Sequence, residues 1–188
     1  MSDIIKIPKQ FYSDLTGKPF EKCSLCNGDL GVPLSEYIVE KVMIRSSAGS
    51  LNTLYEFALC AGCQQKMQDA MSDFSKQRIT EFMRRNIIPE SILPESESGW
   101  SLKDKMSRCV LSGKELKELE EFHIACKCSG GFMLTFPPPF VVDTRLLEPL
   151  EEQLSAETRE EFDSFKERLS SPAPDLEELF RETGLLII

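Results

Sequence analysis

The chain has 188 residues, 41% hydrophobic and 28% charged, which is enough apolar material for a core and too much for wholesale disorder. Its net charge of −9 falls almost wholly in residues 96–188, most densely over 148–182, so attraction to nucleic-acid phosphates is disfavoured. No apolar run reaches the ~20 residues of a bilayer span and the N-terminus has no apolar signal core, so a cytoplasmic protein without membrane association is expected. Seven cysteines in such a compartment point to metal binding rather than disulfides.

In chain order, residues 1–22 read as extended, with a turn at Leu15-Thr16-Gly17-Lys18-Pro19. Cys23-Ser-Leu-Cys26 follows, closed by the turn dipeptide Asn27-Gly28. The β-branched and aromatic residues of 36–45 predict a strand, 46–50 a hairpin loop, and 51–59 a second strand that runs into Cys60-Ala-Gly-Cys63. The period then changes. Met67, Ala70, Met71, Phe74, Ile79, Phe82 and Met83 recur at three- and four-residue steps, which predicts one continuous helix to about Asn86 with its methionine-rich face in the core.

Residues 89–99 have linker composition and place a boundary there. Beyond it, 116–128 reads as helix or strand, with Phe122, Ile124, Cys126 and Cys128 on one side if it is a strand. Gly130-Gly131 breaks it, 132–136 is a short strand, and Pro137-Pro138-Pro139 stops that strand. Residues 146–169 read as an amphipathic helix, Asp175 as the cap of another, and Leu185 to Ile188 as an apolar end that packs back on the second half or, if exposed, docks in a partner's groove, the former favoured. The domains expected are therefore 1–88, a linker at 89–99, a small second domain at 100–148, and an acidic helical tail at 149–188.

The four thiols of Cys23, Cys26, Cys60 and Cys63 form two Cys-x-x-Cys pairs, and each pair can aim two sulfurs at one tetrahedral ion. Four sulfurs suit zinc or mononuclear iron, with zinc favoured in a structural role. The closed shell leaves no position for substrate water, so no catalytic metal and no enzyme are expected. Gly28 and Gly62 read as places where backbone passes close to sulfur. A thioredoxin-type use of Cys60 and Cys63 would need a βαβ surround that is absent, and would leave Cys23 and Cys26 unexplained.

The order knuckle, hairpin, Cys pair, helix over residues 20–86 resembles the treble-clef zinc finger. It is similar in plan to the N-terminal zinc-binding domain of ClpX-type unfoldases, with a longer loop between the pairs. The resemblance implies an α+β fold in which Cys23 and Cys26 sit on a knuckle, Cys60 ends the second strand and Cys63 lies in the first helical turn.

Cys109, His123, Cys126 and Cys128 remain. Cys109-Val-Leu-Ser112 echoes Cys23-Ser-Leu-Cys26, with Ser112 in place of the second knuckle cysteine and Cys126 or Cys128 standing for the second pair. The same stretch also echoes the Leu15 turn through Leu111-Ser112-Gly113-Lys114. Two readings stay open: a second zinc held by Cys109, Cys126 and Cys128 with His123 or another group as fourth ligand, or a metal-free remnant with buried thiols, the latter favoured. In a strand His123 would point away from Cys126 and Cys128.

The function expected is non-catalytic: a zinc-stapled α+β module for protein–protein interaction, an adaptor or regulator with a protein partner. The alternative is a nucleic-acid-associated zinc protein of transcription or translation, using a basic patch of Lys41, Arg45, Arg78, Arg84 and Arg85. A thiol–disulfide oxidoreductase is third.

Overall fold

The computed structural model describes residues 4–169. The expectations for Asp175 and for Leu185 to Ile188 lie outside the described residues. Strands are β1 (Ile4–Lys6), β2 (Glu36–Arg45), β3 (Leu51–Cys60), β4 (Glu121–Ser129), β5 (Phe132–Leu134) and β6 (Phe140–Asp143). Helices are α1 (Ala61–Ala70), α2 (Asp73–Asn86), α3 (Pro89–Ile92), α4 (Glu95–Ser98), α5 (Leu102–Lys105), α6 (Glu148–Glu151) and α7 (Ala156–Leu169).

All six strands join one antiparallel sheet in the order β1-β5-β4-β2-β3. The edge of β4 away from β2 is shared, β5 taking Cys128 and Ser129 and β6 taking Phe122 to Ala125. The hairpin β2–β3 forms where the sequence predicts it, its strands ending within a residue of the expected bounds. Its residues alternate between two covered faces. Tyr37 and Val39 share one face with Cys126 and Cys128. Val42 and Phe57 lie on the other, where Phe165 of α7 meets Phe57 edge-on at 5.6 Å. β2 and β4 are covered on both faces over most of their length, so the charged and polar residues Glu40, Lys41 and His123 within them are buried too.

The boundary expected at 89–99 does not divide the core. β2, from the first half, pairs along its length with β4 from the second, and β1 pairs with β5. Nor is 89–99 a free linker. Ile88 donates its N–H to Val110 O at 2.8 Å, Ser91 is fully buried, and the buried ammonium of Lys105 hydrogen-bonds Leu93 O. Linker composition does not distinguish solvated polar residues from ones that backbone carbonyls satisfy, as Ile88 O does Ser91.

The two long helices expected from periodicity are each broken. The first is α1 and α2, because Ser72 leaves helical geometry and its hydroxyl accepts the Ser75 N–H as an N-cap. The second is α6 and α7, where Ser155 caps through the Thr158 N–H in the same way. Met67 is buried and Met71, Ile79 and Phe82 pack against the core, whereas Phe74 is half exposed, with Arg78 over its ring.

A buried polar pair crosses the sheet unannounced by sequence. His123 Nδ1 lies 2.8 Å from Glu40 Oε1, and both side chains are fully buried. Lys41, on the opposite face, is also buried and pairs with Asp14 at 2.6 Å and Glu56 at 2.9 Å.

Candidate metal centre

Cys23 and Cys26 are held on a tight turn. Cys23 N–H donates to Gly28 O at 2.8 Å and Asn27 N–H to Cys23 O at 2.9 Å, with Asn27 in the left-handed region at φ +59°. At Gly28 a Cβ would lie 3.3 Å from the Cys26 sulfur, so the small residue there keeps the turn wrapped closely on sulfur. Gly62 has open space around it, and no close approach demands it.

The turn docks on the outer edge of β3. Ser24 N–H donates to Ala58 O at 2.8 Å, and the Ser24 hydroxyl accepts the Ala58 N–H at 3.0 Å. These bonds bring the knuckle beside Cys60, the last residue of β3 and the N-cap of α1. Cys63 is the third residue of α1, in the turn whose N–H groups lack intrahelical partners.

The four sulfurs all lie within 4.8 Å of one another, a cluster that can hold a metal ion. Cys26 and Cys60 approach to 3.7 Å. Cys23 and Cys63 are buried, Cys60 is half-buried and Cys26 is exposed, so the centre sits at the protein surface with its inner half dry.

The surroundings favour negative sulfur at Cys23. Burial alone would raise the Cys23 thiol, but backbone N–H groups of Cys26, Cys60 and Leu25 outweigh it and bring the thiol down to about 7. One of these is the Cys60 N–H, 3.5 Å from Cys23 Sγ. Cys63 goes the other way: burial, then the adjoining sulfurs, push its thiol up. Four close sulfurs cannot all carry charge without a cation, which is the physical reason such a cluster takes one and releases protons on doing so.

The remaining candidates do not gather. Cys126 and Cys128 sulfurs are 3.6 Å apart on one face of β4, separated from Cys60 by Tyr37 across the sheet. His123 is on the other face, with Glu40. Cys109 sits at the far end of β6, where its sulfur accepts the Asp143 N–H at 3.4 Å. Among the described residues, the cluster of three or more potential ligands is that of Cys23, Cys26, Cys60 and Cys63.

Of the five basic residues of the nucleic-acid alternative, Arg78, Arg84 and Arg85 lie on one helix, α2, and four of the five are engaged by groups of the chain itself. Lys41 is buried, Arg45 bonds the carbonyls of Leu116 and Leu119, and Arg78 and Arg85 pair with Glu81. Among the described residues, no helix is long and apolar enough to cross a membrane. No family model, curated protein or solved structure matches the chain.

Proposed function

We propose that this chain is a non-catalytic zinc protein in which a treble-clef-like centre holds a surface for a protein partner. The observation that carries the reading is the convergence of four sulfurs from a knuckle and a helix start. Four thiolates around one ion satisfy its coordination completely, so the ion acts as a staple and offers no site to a substrate. Zinc suits four sulfurs at tetrahedral spacing, and its lack of redox chemistry suits a structural role.

The ion fixes the geometry of the knuckle, the end of β3 and the start of α1 relative to one another. A partner would read that surface as a rigid shape. The excess of acidic side chains in the second half favours a basic protein surface over a nucleic acid.

The test begins with elemental analysis of purified protein. One zinc per chain and a colourless sample support the reading; a coloured protein carrying iron points to mononuclear iron instead. Binding to RNA and DNA is then measured at low salt, where a purely electrostatic binder is strongest. Salt-dependent retention of either would replace the protein-partner reading by the nucleic-acid one.

A further inference from the structure

We propose that the chain is two fused copies of one knuckle–hairpin–helix–helix unit, and that the second copy carries a latent metal site at Cys109, Ser112, Asp143 and Leu146. In the first copy those four positions are Cys23, Cys26, Cys60 and Cys63. The second copy is held by hydrogen bonds and apolar packing where the first is held by sulfur and an ion.

The knuckles match first. Cys109 N–H donates to Lys114 O at 2.9 Å and Gly113 N–H to Cys109 O at 2.8 Å, as Cys23 and Asn27 do in the first turn. Gly113 has φ +71° where Asn27 has +59°. The flanks are bridged alike, Lys22 with Asp29 and Arg108 with Glu115, each also an ion pair. The next residue then folds back the same way, Leu30 N–H to Glu21 O and Leu116 N–H to Ser107 O.

A turn alone does not argue a copy, since Ser13 and Lys18 close a third one with the same hydrogen bonds. The docking does. Ser24 N–H meets Ala58 O at 2.8 Å, and Val110 N–H meets Val141 O at 2.8 Å. Two residues further along each strand, Cys60 N–H points at Cys23 Sγ at 3.5 Å and Asp143 N–H at Cys109 Sγ at 3.4 Å. Asp143 therefore stands where Cys60 stands. Three residues on, Leu146 takes the place of Cys63, and four further on, buried Leu150 takes that of buried Met67.

The correspondence continues through the next helix. α2 and α7 are each 14 residues long. Their capping serines, Ser72 and Ser155, are 83 positions apart, and the hydroxyls three residues later are Ser75 and Thr158. Ile79 and Phe82 of α2 match Phe162 and Phe165 of α7, and all four face the core.

The two copies meet as a pseudo-two-fold pair. β2 and β4 lie antiparallel at the centre, with β3 and β6 as their hairpin partners, and the axis passes beside the Glu40 and Ala125 pair. A two-fold requires contacts to be exchanged, and they are: Ser72 N–H donates to Thr158 Oγ1 at 3.1 Å, and Ser155 N–H to Ser75 Oγ at 3.0 Å.

The variant Ser112→Cys, Asp143→Cys, Leu146→Cys completes a four-sulfur set with Cys109. Cobalt(II) titration of the full chain reads it, because tetrahedral thiolate coordination gives intense sulfur-to-metal absorption. The natural chain is expected to take one equivalent and the triple variant two. A folded triple variant that takes no more than the natural chain overturns the proposal. Failure of the first site would show in the natural chain instead, so the two readings fail separately.

Should the triple variant not fold, Ser112→Cys with Asp143→Cys decides. Cys26 and Cys60 sulfurs are 3.7 Å apart, so diamide, taking up two hydrogens from two thiols, should close a disulfide from position 143 to 112 or to Cys109. Peptide mapping that finds neither bond overturns the proposal.

Discussion

Ser75 Oγ accepts the backbone N–H of Ser155 at 3.0 Å, so the third residue of one helix start satisfies the capping residue of another helix. Thr158 returns the bond to Ser72 at 3.1 Å. In an ordinary capping box one helix closes both bonds on itself; here two helices 83 positions apart exchange them. Both hydroxyls are fully buried, so water cannot replace either.

Ser75→Ala and Thr158→Val should therefore each cost about 1–2 kcal/mol, since each strands a buried N–H besides removing a cap contact. The four hydroxyls form one network, so the double variant should cost less than the two single losses added together. Urea denaturation of the four proteins measures this. Strict additivity would mean that the two helix starts act independently.

Removing the ion should lower stability without unfolding the chain outright. The metal centre is built on β3 and α1, while β2 is also anchored by its full pairing with β4. Loss of a zinc that binds only the folded chain should cost several kcal/mol and lower Tm by roughly 10 °C or more. Chelator-treated protein should keep most of its far-ultraviolet dichroism at 10 °C and melt earlier than the metal-loaded form. An unchanged melting curve would remove the ion from the stability of the fold.

How much of this was legible in advance differs by element. The hairpin of β2 and β3 could be read because its β-branched and aromatic residues are bounded by a polar loop and a cysteine pair. The break at Ser72 was masked, since Met67, Met71 and Phe74 carry the helical period straight across it; the signal was Ser72 with Ser75 in the capping relation. The pairing of β2 with β4 has no local signature at all, because which strands meet is decided by the whole core. In the proposed duplication Ser112 stands at the position of Cys26, as the sequence echo has it, while Asp143 and Leu146, rather than Cys126 and Cys128, stand at the second pair. Cysteine spacing carries little of such a relation, because of the four ligand positions only Cys109 keeps the residue type. Nothing in the sequence marks Glu40 as buried, because a polar residue within a strand can face solvent or a partner on the next strand.

The ion pairs of Lys41 should make stability sensitive to acid. Burial works against the charge of Asp14, but hydrogen bonds from Lys41 and Thr53 and the Lys41 charge outweigh it, so its carboxyl titrates below the usual range. A carboxyl depressed in the folded chain adds stability above its unfolded pKa of about 4, and that stability is lost as pH falls through the lower folded value. Asp14→Asn should thus destabilise at pH 7 and be nearly neutral at pH 2. Because Asp14 is more than half exposed, solvent screening holds the effect to a fraction of a kcal/mol. Lys41→Met should cost more, about 1–3 kcal/mol, since it leaves the mostly buried Glu56 carboxylate without its cation. Denaturation midpoints across pH 2–7 compare the three; an equal Asp14→Asn deficit at both extremes would rule out this linkage.

The two glycines beside the sulfurs should respond in opposite ways. A Cβ at Gly28 would press on the Cys26 sulfur at 3.3 Å, and that sulfur is also 3.7 Å from Cys60, so it has little freedom to retreat. Gly28→Ala should therefore weaken metal retention several-fold while leaving all four thiols in place. Gly62 lies in the first turn of α1 with nothing within 4 Å of a would-be Cβ. Gly62→Ala should leave metal binding alone and stabilise by about 0.5–1 kcal/mol, because alanine loses less backbone entropy in a helix. Competition with a chromophoric chelator ranks the affinities, and thermal melts rank the stabilities. Equal metal affinity in both variants would show that the knuckle yields at Gly28, and that its close wrap on sulfur is not what positions Cys26.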